Sequence, residues 1–99
     1  MTAYVISEVE IRDESVAEEY RNLAAASIAE HGGRYLVRGA TPDALEGEWP
    51  SGRRLVIVEF PDADTVQRWY SSPSYAKALV FRDRALTRRL IVAEGLSIG

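Results

Sequence analysis

The sequence predicts an α+β fold: a four-stranded antiparallel sheet with its helices on one face, connected βαββαβ in the ferredoxin-like manner. Three observations predict it. Residues 3–11 alternate with a period of two, two helical stripes are bracketed by capping residues, and the segments run strand, helix, strand, strand, helix, strand. A right-handed crossover within each half suits this order.

Each element follows from local chemistry. In Ala3 to Ile11, Val5, Val9 and Ile11 share one face with Ser7, and Tyr4, Ile6, Glu8 and Glu10 take the other. Asp13 caps the helix that follows, and Glu14 suits its positive end. Val16, Tyr20, Leu23, Ala24, Ser27, Ile28 and His31 form its apolar stripe, and Gly32-Gly33 ends it. Arg34 to Gly39 is a second strand, Thr41 to Gly52 a polar loop carrying Trp49, and Arg54 to Phe60 the third and most apolar strand. Asp62 caps a short helix through Val66, Trp69 and Tyr70. Ser72-Pro73 opens another piece, with Tyr75, Leu79, Arg82 and Leu86 on one stripe. Arg89 to Leu96 closes the chain as a fourth strand. No linker or repeat divides it, so residues 1–99 read as one domain.

Composition narrows the function. Twelve basic against fifteen acidic side chains leave a net charge of −3, which argues against a general nucleic-acid binder. With no cysteine and one histidine, disulfides, thiol nucleophiles and a multi-histidine metal site within one chain are excluded. No stretch approaches the roughly 20 apolar residues of a membrane span, and the start does not resemble a signal peptide, so the expected location is the cytoplasm.

Leu55, Ile57 and Glu59 face one way in the third strand, and Val56, Val58 and Phe60 face the other. The fourth repeats this, with Leu90, Val92 and Leu96 opposite Ile91 and Ala93. Helices cover only one face of such a sheet, and an antiparallel sheet facing water should be polar there. A second copy of the chain is the expected cover, giving a homodimer.

Charged residues on apolar patterns are the candidates for chemistry, since burying a charge is costly unless it is paired or used. Glu59 can act as a general acid or base, or form a structural salt bridge. Arg38 suits a carboxylate or enolate ligand, and equally a partner such as Glu59. Arg82 either lines a cleft between sheet and helices or snorkels outward. His31 is a candidate proton shuttle, although its place in the last helical turn also suits it to bond a free carbonyl. Trp49, Trp69, Tyr70 and Tyr75 can wall an apolar pocket or pack the core. Arg82, Arg84, Arg88 and Arg89, among acidic residues, read as a solvated surface. No phosphate loop or serine elbow is present.

The runs Gly32-Gly33-Arg34-Tyr35-Leu36-Val37-Arg38-Gly39, Leu45-Glu46-Gly47 ahead of Trp49, Val58-Glu59-Phe60-Pro61 and Trp69-Tyr70-Ser71-Ser72-Pro73-Ser74-Tyr75 together resemble the domain-of-unknown-function 1330 family of small bacterial proteins. The resemblance spans nearly the whole chain; Ala40 departs from it, where the family usually has a second glycine. It implies the dimeric α+β barrel, in which two ferredoxin-like sheets pack face to face. The family's recurrent positions match Arg38, Glu46, Trp49, Glu59, Trp69, Tyr70, Tyr75 and Arg82. Its wider superfamily includes cofactor-free monooxygenases, lactone isomerases, polyketide cyclases and haem enzymes, activities that fold alone does not transfer. A haem site would need an axial ligand, for which only His31 is available.

The resulting expectation is a homodimer without a bound cofactor, acting on a small organic acid or carbonyl compound between sheet and helices. Arg38 or Arg82 would hold the anion, and Glu59, or less favourably His31, would move a proton. The alternative is a non-catalytic ligand-binding or structural homodimer.

Overall fold

The computed structural model describes residues 1–96. Its elements are β1 (Ala3–Ile11), α1 (Glu14–Glu30), β2 (Arg34–Ala40), β3 (Arg53–Phe60), α2 (Ala63–Tyr70), α3 (Pro73–Ala85) and β4 (Leu86–Glu94). The sheet is antiparallel throughout, in the order β2-β3-β1-β4. This is the ferredoxin-like arrangement expected, with the helices on one face.

The caps act as their residue types require. Asp13 accepts from the backbone N–H groups of Ser15 and Val16 at 3.1 and 3.3 Å. Asp62 accepts from Thr65 N–H at 2.7 Å. Ser72 accepts from Tyr75 N–H at 3.1 Å and donates to the Trp69 carbonyl at 2.7 Å, joining the end of α2 to the start of α3. Gly33 lies so close to Ile28 and Phe60 that a Cβ would come within 2.7 Å of both side chains. Here the glycine is needed for close approach of helix end and sheet.

Two sequence expectations change, and β2 pairs irregularly. β4 begins at Leu86, not Arg89, and ends at Glu94, leaving Leu96 outside the strand. Leu86 is therefore not the last residue of a helical stripe; it has extended backbone and starts the strand directly from α3. β2 is not a simple alternation either: its pairing with β3 slips between Tyr35 and Val37 and again between Arg38 and Ala40. Gly39, at φ +84°, sits in the second slip, where a left-handed residue is tolerated. The two bulges place Tyr35 opposite Val58 and Arg38 opposite Val56, both on the helix side.

The buried core joins Ala3, Val5, Val58 and Phe60 of the sheet to Tyr20, Ala24, Ile28, Trp69 and Tyr75 of the helices. Trp69 is its hub, with its ring 5.3 Å from Phe60 and 4.3 Å from Tyr75. The Trp69 indole N–H donates to Ser27 Oγ at 3.0 Å, and that hydroxyl donates to the Ala24 carbonyl at 2.7 Å. The tryptophan is thus both packed and satisfied.

The face turned away from the helices is ordered in rows by the strand register. Val37, Ile57, Ile6 and Ile91 form one apolar row across all four strands. On one side runs Arg34, Glu59, Tyr4, Ala93, and on the other Ala40, Leu55, Glu8, Arg89. Arg34 pairs with Glu59 at 2.9 Å and Arg89 pairs with Glu8. Under a half-turn that exchanges β2 with β4 and β3 with β1, arginine falls on arginine, glutamate on glutamate and alanine on alanine, while Tyr4 falls on Leu55 and Val37 on Ile91.

Candidate functional site

A cleft of about 380 Å³ lies between sheet and helices. Its floor is the helix-side face of the strands: Val5, Ser7, Val9 and Ile11 of β1, Val56 and Val58 of β3, and Leu86, Arg88 and Leu90 of β4. Tyr20, Ala24 and Ile28 of α1, with Trp69 of α2, form its roof. Charged residues edge it, including Glu14, Arg21, Arg38 and Arg54. A mostly apolar hollow with a few convergent polar groups is what small-molecule sites look like.

The polar centre is Arg88. It shares a strand face with Leu86 and Leu90, which turns it under the helices rather than out to water. Its guanidinium donates to the Tyr75 hydroxyl at 2.6 Å and, through the other terminal nitrogen, to the Tyr20 hydroxyl. The two hydroxyls share a hydrogen bond of 2.7 Å. The cation also lies 5.4 and 5.8 Å from the two ring centres. Burial pushes the Tyr20 phenol well above the ordinary tyrosine range, outweighing the opposite effect of Arg88. Tyr20 is therefore held as the neutral phenol, and either hydroxyl of the pair can donate to the other. Reading Arg88 as part of a solvated arginine surface is corrected by this placement. The parity of Leu86, Arg88 and Leu90 was the signal that could have found it.

At the opposite side of the floor, Arg38 lies 4.4 Å over the Tyr35 ring. Burial raises the Tyr35 phenol as well, with Arg38 opposing. Arg38 lines the cleft but is exposed.

The other sequence candidates are dispersed. Glu59 sits on the sheet face away from the cleft, in its ion pair with Arg34; the structure does not bring it together with Arg38. His31 ends α1, its Nδ1 2.8 Å from the Ser27 carbonyl, as the capping alternative supposes. Trp49 lies in the loop between β2 and β3, where its indole N–H donates to the Arg53 carbonyl at 2.9 Å, and it does not line the cleft. Tyr70 and Arg82 line a second, wider hollow beside α2, α3 and β4, where Arg82 pairs with Asp83 at 3.2 Å. Trp69 lines the cleft directly, and Tyr75 reaches it through Arg88. Sequence reasoning missed Arg88, Tyr20, Tyr35 and Ser7 as site residues. Among the described residues, no group of three or more histidine and carboxylate side chains is placed to hold a metal ion. No helix among them is long and apolar enough to cross a membrane.

Fold and cleft together define a ferredoxin-like α+β protein with an arginine-centred pocket. The chain belongs to the family described as a domain of unknown function, DUF1330, whose model matches residues 2–96. Among curated proteins, none matches the chain. Solved structures share its fold. A protein of unknown function from Rhodopseudomonas palustris superposes with a TM-score of 0.79 at 18% identity, covering 98% of this chain and 84% of that one. The cofactor-independent oxygenase SnoaB from Streptomyces nogalater gives 0.69 at 13% identity, covering 98% and 95%. A dimeric protein of unknown function and ferredoxin-like fold from Bacteroides fragilis gives 0.64 at 16% identity, covering 95% and 96%.

Proposed function

We propose that this protein is a homodimer that binds a small organic acid or carbonyl compound in the cleft and polarises its oxygen, without a resident cofactor. The reaction would be of the isomerase, cyclase or monooxygenase type at an activated carbon acid. The observation that carries this reading is the Arg88 guanidinium, held by the Tyr20 and Tyr75 hydroxyls in a cleft whose floor and roof are mainly apolar. A carboxylate or enolate oxygen placed there gains charge-assisted hydrogen bonds in a site of low dielectric, where such donors are strongest. Arg38, held over Tyr35, would meet a second polar group at the rim. The fold likeness to a cofactor-independent oxygenase is in keeping with this chemistry.

The second copy would cover the apolar row Val37–Ile57–Ile6–Ile91. Ile91 is 50% exposed in the single chain, and a dimeric structural neighbour makes the arrangement familiar.

One observation favours the reading as a binder without turnover. The cleft is rich in cationic and hydroxyl donors. Glu14, at its rim and already paired with Arg21 at 2.8 Å, is the one carboxylate among its described lining residues. Glu59 would have to act from the other face of the sheet.

Calorimetry with a panel of small aromatic and aliphatic carboxylates and enolisable diketones tests the proposal. At least one should bind the wild type, and Arg88→Met should weaken it at least tenfold. Binding of none, or binding indifferent to Arg88, would overturn the reading. Consumption of the bound compound, or of dioxygen with it, would separate enzyme from binder.

A further inference from the structure

Ser7 stands at the centre of the cleft floor. It is 5% exposed, and its Oγ is the one buried side-chain polar atom among the described residues with no hydrogen-bond partner. The other buried hydroxyls are satisfied: Ser27 by the Ala24 carbonyl, Thr65 by Asp62 and Ser72 by the Trp69 carbonyl. A buried hydroxyl left alone carries a desolvation cost that alanine would avoid. The register shows what surrounds it. Arg38, Val56, Ser7 and Leu90 form one row across the sheet, and Arg88 is the next inward residue on β4, opposite Val9. Ser7 thus lies between the two arginines, diagonal to Arg88 on the neighbouring strand. Such diagonal positions are about 7–8 Å apart at the backbone, so one small ligand can touch residues at both.

We propose that Ser7 is a specificity-determining residue, and that the ligand is a hydroxy- or oxo-substituted organic acid. Its carboxylate sits on Arg88, and its second oxygen meets the Ser7 hydroxyl on the cleft floor. This rests on the cleft being a carboxylate site, as proposed above, and adds a demand on the rest of the ligand. The hydroxyl serves as donor to an oxo group, or as either partner to a ligand hydroxyl. A ligand lacking that oxygen would leave Ser7 unpaired, which is how buried polar groups reject close analogues.

The test compares matched acids: benzoate with 3- and 4-hydroxybenzoate, and pentanoate with 4-oxopentanoate. Calorimetry on the wild type should show at least one substituted acid bound about tenfold more tightly than its parent, the ratio one hydrogen bond supplies. Ser7→Ala should abolish that ratio and leave the parent's affinity unchanged. In thermal unfolding without ligand, Ser7→Ala should match or exceed the wild type. Equal affinities within every pair, a ratio that survives Ser7→Ala, or a lower melting temperature in that variant would each overturn the assignment while leaving the carboxylate site standing. Failure of the wild type to bind any of the five acids while another member of the wider panel binds would overturn the Ser7 assignment alone, and binding of no member of that panel would remove both.

Discussion

Arg88 holds the Tyr75 hydroxyl at 2.6 Å, tying the start of β4 to the first turn of α3. Tyr75 is fully buried, so its hydroxyl is satisfied only inside this cluster. Tyr75→Phe should therefore lower stability by about 1.5–3 kcal/mol, the range for a hydrogen bond to a charged group. Urea denaturation monitored by circular dichroism would measure it. An unchanged midpoint would show that the contact contributes nothing to the folded state.

The apolar row on the far face leads to a prediction about association. Ile57→Asp places a charge where Ile57 meets Ile6 and Val37 across the strands. If a second copy covers this face, the variant should become monomeric yet keep its secondary structure, since burying an unpaired charge costs more than a surface contact provides. Sedimentation equilibrium at micromolar concentration reads this directly. A dimer that persisted would place the interface elsewhere.

Gly33→Ala should destabilise the fold by about 1–3 kcal/mol, the usual cost of an added methyl group in a tight site. The new carbon would meet the Ile28 and Phe60 side chains at 2.7 Å, so one or both must shift. Denaturant titration would record the loss. A neutral result would mean that helix end and sheet separate easily there.

The dependence of stability on pH should have two limbs. The side-chain hydroxyl of Ser15, with the Val16 and Ser15 backbone amides, holds Asp13 below the usual carboxylate range, and the Thr65 hydroxyl and amide do the same for Asp62. Groups lowered by folding stabilise above their unfolded pKa, near 3.8, and lose that contribution as pH falls through the folded value. Burial raises Tyr20 and Tyr35, so their contribution is complete below about 10 and fades as pH rises beyond it. Asp62→Asn should keep the cap and flatten the acid limb, and Tyr20→Phe should flatten the alkaline one. Melting temperatures measured from pH 2 to 11 would show both. A variant with the wild-type slope would remove its residue from the account.

Much of this architecture is legible in the sequence because single residues decide it. Asp13, Asp62 and Ser72 cap the helices they precede, and the parity of Val56, Val58 and Phe60 already separates them from Glu59. What parity does not say is which face holds the cleft. A glutamate beside Leu55 and Ile57 looks inward in a linear reading, yet the helices take the wholly apolar set and leave Glu59 to Arg34. β2 defeats strict alternation because two bulges let Tyr35 and Arg38 share a face, and only Gly39 hints at this. Arg88 was hidden by an ambiguity of period. Leu86 lies four residues after Arg82, which continues a helical stripe, and two before Arg88, which begins a strand. Taking the helical reading too far shifts the strand's start and strands its one inward cation among surface charges.

The passage from α3 into β4 without an intervening loop has a mechanical consequence. The Ala85 carbonyl accepts from the Arg12 and Asp13 amides at 2.8 and 3.2 Å, so one peptide fastens the tail of α3, the head of α1 and the first residue of β4. Three chain segments far apart in sequence are thereby held at one carbonyl oxygen, so the spacing of the helix ends at this corner is set by backbone hydrogen bonds that no side-chain substitution removes directly.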